Sequence, residues 1–321
     1  MNICVIGCGR WGSLIAWYLS GRKNYAVTLY GRPDSERIKR FMSERKNDLL
    51  TLPDSVKVSC DINCVGLADI IIISINSQGL SGLFEELSAL GIKNKTIVLC
   101  MKGIEISTGR RLSEVARDGC DPSNKIAVWL GPGHVQEFYA GIPNCMVIDS
   151  DDESTKRMLV DAFSSELIRF YYGEDLIGSE IGGAAKNVIG IAAGMLDGLG
   201  LSTLKGALMS RGTREIARLI DHMGGNQLSA YGLCHLGDYE ATVFSKYSHN
   251  RMYGEMLVRG ENYGDLAEGY YTADAIVRLG KKYGVDLPIC QGVYSVIYEG
   301  RDVNTVIGEL FGRSIKSEFY N

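Results

Sequence analysis

The hydrophobic pattern divides the chain into two halves with different periods. Up to about residue 175, short apolar runs alternate with stretches of helical spacing. The runs fall at 2–6, 25–30, 68–75, 96–100 and 126–130, and the one from Ala68 to Ile75 is almost unbroken. Continuous apolar runs of this length predict parallel strands covered on both faces. Two more strands are expected at 145–149 and 168–172, with a helix over 154–166 that Ser154 would cap. After Asp175 the spacing becomes helical, over 180–198, 203–223, roughly 265–284 and 288–299. The expected architecture is α/β: a doubly wound sheet over residues 1–178, followed by an all-α domain over residues 179–321.

The first strand leads straight into Gly7-Cys8-Gly9-Arg10-Trp11-Gly12, and helical spacing follows from Ser13 to Ser20. G-x-G-x-x-G between a strand and a helix is the fingerprint of a Rossmann-type dinucleotide site. Gly7 allows the tight turn, Gly9 lets the backbone approach a pyrophosphate, and Gly12 lets helix and strand pack closely. The helix N-terminus offers N–H donors and partial positive charge to the phosphates. The second strand ends in Gly31-Arg32 rather than in the acidic residue that binds an NAD ribose. Arg32 can pair with a 2′-phosphate, so NADPH is favoured over NADH. The loops after the later strands carry Lys102-Gly103 and Gly131-Pro132-Gly133-His134. Such loops bind ligands in open parallel sheets, which makes Lys102, Gly131 and Gly133 candidates for substrate contact.

In the helical half, Val188, Ile191, Ala192, Met195 and Leu199 form one apolar stripe. Gly183, Asn187, Gly190 and Gly194 form another face. Glycine weakens a helix by up to about 1 kcal/mol relative to Ala. A glycine face is tolerated where something must come close to the backbone. Lys186 sits beside that face in apolar surroundings, so desolvation should lower its pKa toward the range useful for proton transfer. The segment from Tyr231 to Gly254 is polar and irregular, and reads as a binding loop.

Composition narrows the function. A net charge of −4 and 45% hydrophobic residues describe an ordinary globular chain and argue against general nucleic-acid binding. There is no run of 18 apolar residues and no secretion signal at the N-terminus, so a cytoplasmic protein without a membrane span is expected. Nine cysteines without a CxxC pair suggest free thiols. Cys4 and Cys8, and Cys60 and Cys64, are four apart but have no histidine cluster with them, and His235 with Asp238 lacks a third ligand. No metal is expected. Oligomeric state is not fixed, and a homodimer is compatible with the pattern.

Several motifs agree on one family. The chain resembles the soluble NAD(P)-dependent sn-glycerol-3-phosphate dehydrogenases nearly end to end. The resemblance rests on the Gly7 fingerprint, Cys100-x-Lys102-Gly103, Gly131-Pro132 with Glu137, Gly183-Ala-Ala-Lys186-Asn187, Leu236-Gly237-Asp238, Glu268-Gly269 with Thr272, and Phe311-Gly312-Arg313. It implies that Lys186 is the general acid/base for reduction of dihydroxyacetone phosphate, in the service of phospholipid synthesis. It implies that Lys102 contacts substrate and cofactor, that Asp238, Ser248 and Asn250 line the substrate site, and that Asn187 and Thr242 stand next to it. Arg10, Trp11, Arg32, Val135 and Glu268 match cofactor-contacting positions.

The chain departs from the family at His249, which stands where an arginine clamps phosphate oxygens. A histidine is shorter, forms no bidentate fork and is mostly neutral at pH 7. Arg251, two residues on, could compensate. Ile75-Asn76-Ser77 and Gly133-His134-Val135 also differ from the family's loops. Two other readings follow: a relative acting on another small hydroxy acid or sugar phosphate, and an NADPH-binding sensor without activity.

Overall fold

The computed structural model describes residues 1–265 and 267–318. Residue 266, inside the expected 265–284 helix, and residues 319–321, at the end of the expected helical domain, lie outside the described residues. The chain folds into two compact units. One is Met1–Met101 with Leu112–Leu176, and the other is Lys102–Arg111 with Ile177–Asn321.

The first unit is built on an eight-stranded sheet. Its strands are β1 (Asn2–Ile6), β2 (Ala26–Tyr30), β3 (Lys57–Ser59), β4 (Ile70–Ile73), β5 (Thr96–Leu99), β6 (Lys125–Leu130), β7 (Asn144–Asp149) and β8 (Ile168–Tyr172). Their order is β3-β2-β1-β4-β5-β6-β7-β8, and only the β6–β7 pairing is antiparallel. Helices α1 (Arg10–Ser20), α2 (Glu36–Glu44), α3 (Leu80–Ala89), α4 (Leu112–Gly119), α5 (Val135–Tyr139) and α6 (Glu153–Phe163) connect them. All four isoleucines of β4 are buried, as the unbroken run requires of a strand covered on both faces. Strand order reverses between β1 and β4, so the loops leaving those two strands open at a topological switch point.

The second unit is helical: α7 (Leu176–Gly198), α8 (Lys205–His222), α9 (His249–Arg259), α10 (Glu268–Tyr283), α11 (Pro288–Glu299) and α12 (Val303–Phe311). α7 is buried along nearly its whole length, as its lack of a polar face demands. Its apolar stripe joins a core with Ile216, Leu219, Ile220, Ile276 and Leu287. Among the described residues, no helix is long and apolar enough to cross a membrane.

Local expectations differ in several places. The cap of α6 is Asp152, whose carboxylate accepts from the Thr155 amide, and Ser154 lies inside the first turn. β3 is only three residues long and shows no period. The expected loop from Tyr231 to Gly254 is partly ordered: Glu240–Phe244 forms a π-helical turn, and α9 begins at His249. Within α9, Gly254 serves packing. A Cβ on Gly254 would collide with the Ile191 carbonyl, and one on Gly194 with the Arg251 carbonyl. α7 and α9 thus touch backbone to backbone. The partner that the glycine face admits is α9.

Candidate active site

In the first unit, Gly7 has φ 111° and donates its amide to the Tyr30 carbonyl at 2.9 Å. A side chain there would run into the Ser74 carbonyl, so only glycine lets the chain turn off β1 at this point. Gly12 lies against the Gly7 carbonyl with equally little room, while nothing but the tip of Arg37 stands beyond Gly9. Gly9 also precedes α1 without giving it a side-chain cap. An open glycine at an uncapped helix N-terminus is the cradle that a pyrophosphate fits.

Beside the cradle lies a cavity of about 210 Å³, lined by residues that include Tyr30, Gly31, Arg32, Asn76 and Glu86. Arg32 pairs there with Glu86 at 3.1 Å, both side chains largely in solvent. Arg10 donates to Gln136 at 3.4 Å, and Trp11 packs on Phe138 with ring centres 5.9 Å apart. Val135 is buried at the start of α5. Gly131 and Gly133, with φ 134° and 135°, shape the loop between β6 and α5.

The second unit gathers the other candidates. Lys186, in the middle of α7, is buried and donates to Asp238 Oδ2 at 2.9 Å and to Thr242 Oγ1 at 2.8 Å. Lys102 reaches the same Asp238 Oδ2 at 2.7 Å. It belongs with these residues because its segment is tied to α7 by the buried Arg111–Glu180 pair, 2.8 Å apart. Asp238 Oδ1 is buried and has no hydrogen-bond partner. Two ammonium groups therefore face one carboxylate oxygen.

Burial lowers the pKa of Lys186 to about 8; Asp238 opposes the shift and Lys102 adds to it. The π-helical turn places Thr242 so that its hydroxyl donates to the Asp238 carbonyl at 2.7 Å, which leaves an oxygen lone pair for Lys186. A relay of amides completes the cluster. The Asn187 side chain donates to the Lys102 carbonyl at 3.1 Å. Asn250 donates to Asn187 at 3.0 Å and accepts from the Gly269 amide at 2.8 Å. Gly269 follows Glu268, the first residue of α10.

Other candidates have local roles. Ser248 caps α9 by accepting from the Arg251 amide. His249 follows it, with Nδ1 bonded to the Tyr263 hydroxyl. Arg251 is not placed to compensate for His249. It is tied to Asp197 Oδ2 at 2.6 Å, Glu255 at 2.9 Å and the Ser245 carbonyl at 3.1 Å. His235, considered above as half of a metal pair with Asp238, has both ring nitrogens engaged, by the Gly182 carbonyl at 2.9 Å and the Tyr239 hydroxyl at 2.8 Å. Burial holds its pKa down at about 4. Sequence reasoning missed Arg111 and Glu180, and also the sharing of Asp238 by both lysines. Their separation along the chain carries no local signal.

A glycine cradle at the switch point of a doubly wound sheet, with a desolvated lysine in the helical unit, defines the class as a nicotinamide-dependent oxidoreductase. Comparison with known proteins narrows it. Residues 2–156 match the model of the NAD-dependent glycerol-3-phosphate dehydrogenase N-terminus, and residues 175–308 match that of the C-terminus. A glycerol-3-phosphate dehydrogenase [NAD(P)+] of Prosthecochloris aestuarii is 36% identical over 99% of this chain and 100% of its own. One from a Thermoanaerobacter strain is 33% identical over 100% and 99%. The crystal structure of glycerol-3-phosphate dehydrogenase from Coxiella burnetii superposes with a TM-score of 0.89 at 28% identity, covering 97% of this chain and 99% of that one. The chain belongs to the NAD-dependent glycerol-3-phosphate dehydrogenase family; it is an enzyme, and NADH or NADPH is its cofactor.

Proposed function

We propose that the enzyme reduces dihydroxyacetone phosphate to sn-glycerol 3-phosphate, with Lys186 as the proton donor, and so supplies glycerophospholipid synthesis. The observation that carries this reading is the Lys186 ammonium, buried and held by Asp238 and Thr242 with a pKa of about 8. A general acid works best when its pKa lies near the working pH.

Bound nicotinamide dinucleotide supplies the hydride. Lys186 Nζ gives its proton to the carbonyl oxygen as charge builds there, and takes it back in the reverse direction. Asp238 and Thr242 fix Nζ by two of its three donors, which leaves one to point at substrate. Lys102 stabilises the developing alkoxide and the phosphate dianion. Asn187 and Asn250 hold Lys102 and the start of α10 in register.

In the same reading the first unit binds the dinucleotide through Gly7, Gly9, Arg10, Trp11 and Gly12, and the second binds the phosphorylated substrate. Arg32, standing in solvent at the pocket, would favour the 2′-phosphate of NADPH. Arg32→Asp should then move the cofactor preference toward NADH, and an unchanged ratio of kcat/KM values would remove Arg32 from that role. A second reading rests on His249, which is bonded to Tyr263 and lies 3.9 Å from Asp265. On that reading the substrate is another small hydroxy acid or sugar phosphate. Both are tested by following nicotinamide oxidation with dihydroxyacetone phosphate and a panel of small carbonyl compounds. Faster turnover of another compound would favour the second.

A further inference from the structure

Two cysteines far apart in sequence meet in the first unit. Cys4 lies in the middle of β1, and Cys64 lies in the 3₁₀ segment Ile62–Leu67. Their sulfurs are 3.8 Å apart across 60 positions of sequence. Cys4 is fully buried, whereas Cys64 is half-buried and reachable from solvent. Cys4 pairs with Thr28 in the sheet, so its side chain shares a face with Thr28, Tyr30 and Ile6. Tyr30, on that same face, also lines the pocket with Arg32 and Glu86.

We propose that Cys4 and Cys64 form a reversible intramolecular disulfide, a redox modification site behind the Arg32 pocket. The oxidant is a low-molecular-weight disulfide. The Cys64 thiolate attacks one sulfur of the reagent, breaks its S–S bond and releases one thiol, leaving a mixed disulfide on Cys64. Cys4 then attacks Cys64 Sγ, its proton passing to the departing thiolate, and the second thiol is expelled. The two protein thiols are oxidised by two electrons, and the reagent is reduced to two thiols.

Three features favour this order. Cys64 is the exposed member. Its pKa is lowered to about 7, chiefly by the hydrogen bond from Cys4, with Ser59 assisting and burial opposing. The same hydrogen bond, together with burial, pushes the Cys4 thiol up, so Cys4 is the resolving partner. A disulfide needs an S–S distance of about 2.05 Å. Rotation of Cys64 on its short segment can supply the approach without displacing a central strand. In a reducing compartment such a pair rests as thiols and bridges only when the thiol–disulfide balance shifts.

The test uses the full native chain in buffers of reduced and oxidised glutathione, quenched with acid and alkylated before non-reducing peptide mapping. The expected result is a peptide linked through Cys4 and Cys64 and a thiol titre that falls from nine to seven, both reversed by dithiothreitol. Cys60→Ser should still form the bridge, and Cys4→Ser should stop at the mixed disulfide. Nine free thiols at the most oxidising ratio would overturn the proposal. So would a bridge from Cys64 to Cys60, or wild-type protein that stops with glutathione on Cys64.

Discussion

Two ion clusters lie along the same helix, one buried and one half-buried, and their difference separates function from structure. Near the end of α7, Asp197 accepts from Lys205 and Arg251, each at 2.6 Å, and from Ser202 at 2.9 Å, while Arg251 also holds Glu255. Two carboxylates meet three cations, since Arg259 also reaches Glu255 at 2.6 Å; of these cations Lys205 is buried, and both Asp197 oxygens are bonded. Burial pulls the Asp197 pKa up but is outweighed by Lys205, Ser202 and Arg251, which hold it below the usual carboxylate range. Three turns earlier, one carboxylate serves two lysines through a single oxygen, and its other oxygen has no partner. Full bonding makes the first cluster a clamp between α7 and α9. A buried carboxylate oxygen without a partner makes the second a place to receive something.

The sharpest way to break this contrast is to remove one cation from each cluster. Lys186→Met should lower kcat by about 10³-fold, within the range of general acid catalysis, without lowering the urea midpoint. The lack of destabilisation follows from linkage. The folded-state pKa of Lys186 is lowered to about 8 from 10.5, so below pH 8 the buried ammonium opposes folding. A large fall in midpoint would show that Lys186 is structural. Arg251→Met should do the reverse. It takes a half-buried partner from Asp197 and Glu255, which keep Lys205 and Arg259, so the loss is that of a hydrogen bond to a charged group, about 1.5–3 kcal/mol, while kcat stays within a few-fold of wild type under conditions where the variant is folded.

The two clusters should also answer to opposite ends of the pH scale. On the proposed mechanism carbonyl reduction needs protonated Lys186, so kcat/KM should be level below about pH 8 and fall tenfold per unit above it. Oxidation of the alcohol should rise up to the same pH. The Asp197 cluster acts on stability instead. Its carboxylate pKa is lowered in the folded state, so its contribution is present above the unfolded value of 3.8 and is lost as pH falls through the folded value. A stability curve whose acid limb survives in Asp197→Asn would detach the cluster from that role.

How much of this was legible beforehand depends on the range of the interaction. The strands, the glycine turn after β1 and the burial of α7 are local consequences of residue spacing, and sequence reading found them. The lowered pKa of Lys186 was also expected, because an apolar neighbourhood is visible along a helix. Its fixing by Asp238 and Thr242 was not, since those groups arrive from more than fifty positions away. The glycine face announced that something approaches α7. Only the fold shows that α9 is the visitor, and that Gly254 answers Gly194. Arg251 was misread for a similar reason: its neighbours in sequence suggested a phosphate ligand, whereas Asp197 and Glu255 had already engaged it.

The smallest effect offers the finest comparison, because each cluster includes one hydroxyl. Thr242 accepts from Lys186, and Ser202 donates to Asp197. Thr242→Val keeps the shape of the side chain but leaves one Lys186 proton without an acceptor in a buried site. An unmade bond to a charged group costs about 1.5–3 kcal/mol. Part of that cost can be relieved by a further drop in the Lys186 pKa. The expected result is a fall in kcat of about tenfold, with the break in the pH profile shifted below that of wild type. Thr242→Ser, which restores the oxygen, should recover both. Ser202→Ala should change neither, because Asp197 keeps its two cations and acts on no reacting atom. If the valine variant lowered kcat with the pH break unmoved, Thr242 would be shaping the site without tuning the lysine, and the orphaned Asp238 oxygen would become the better place to look for what orients Nζ.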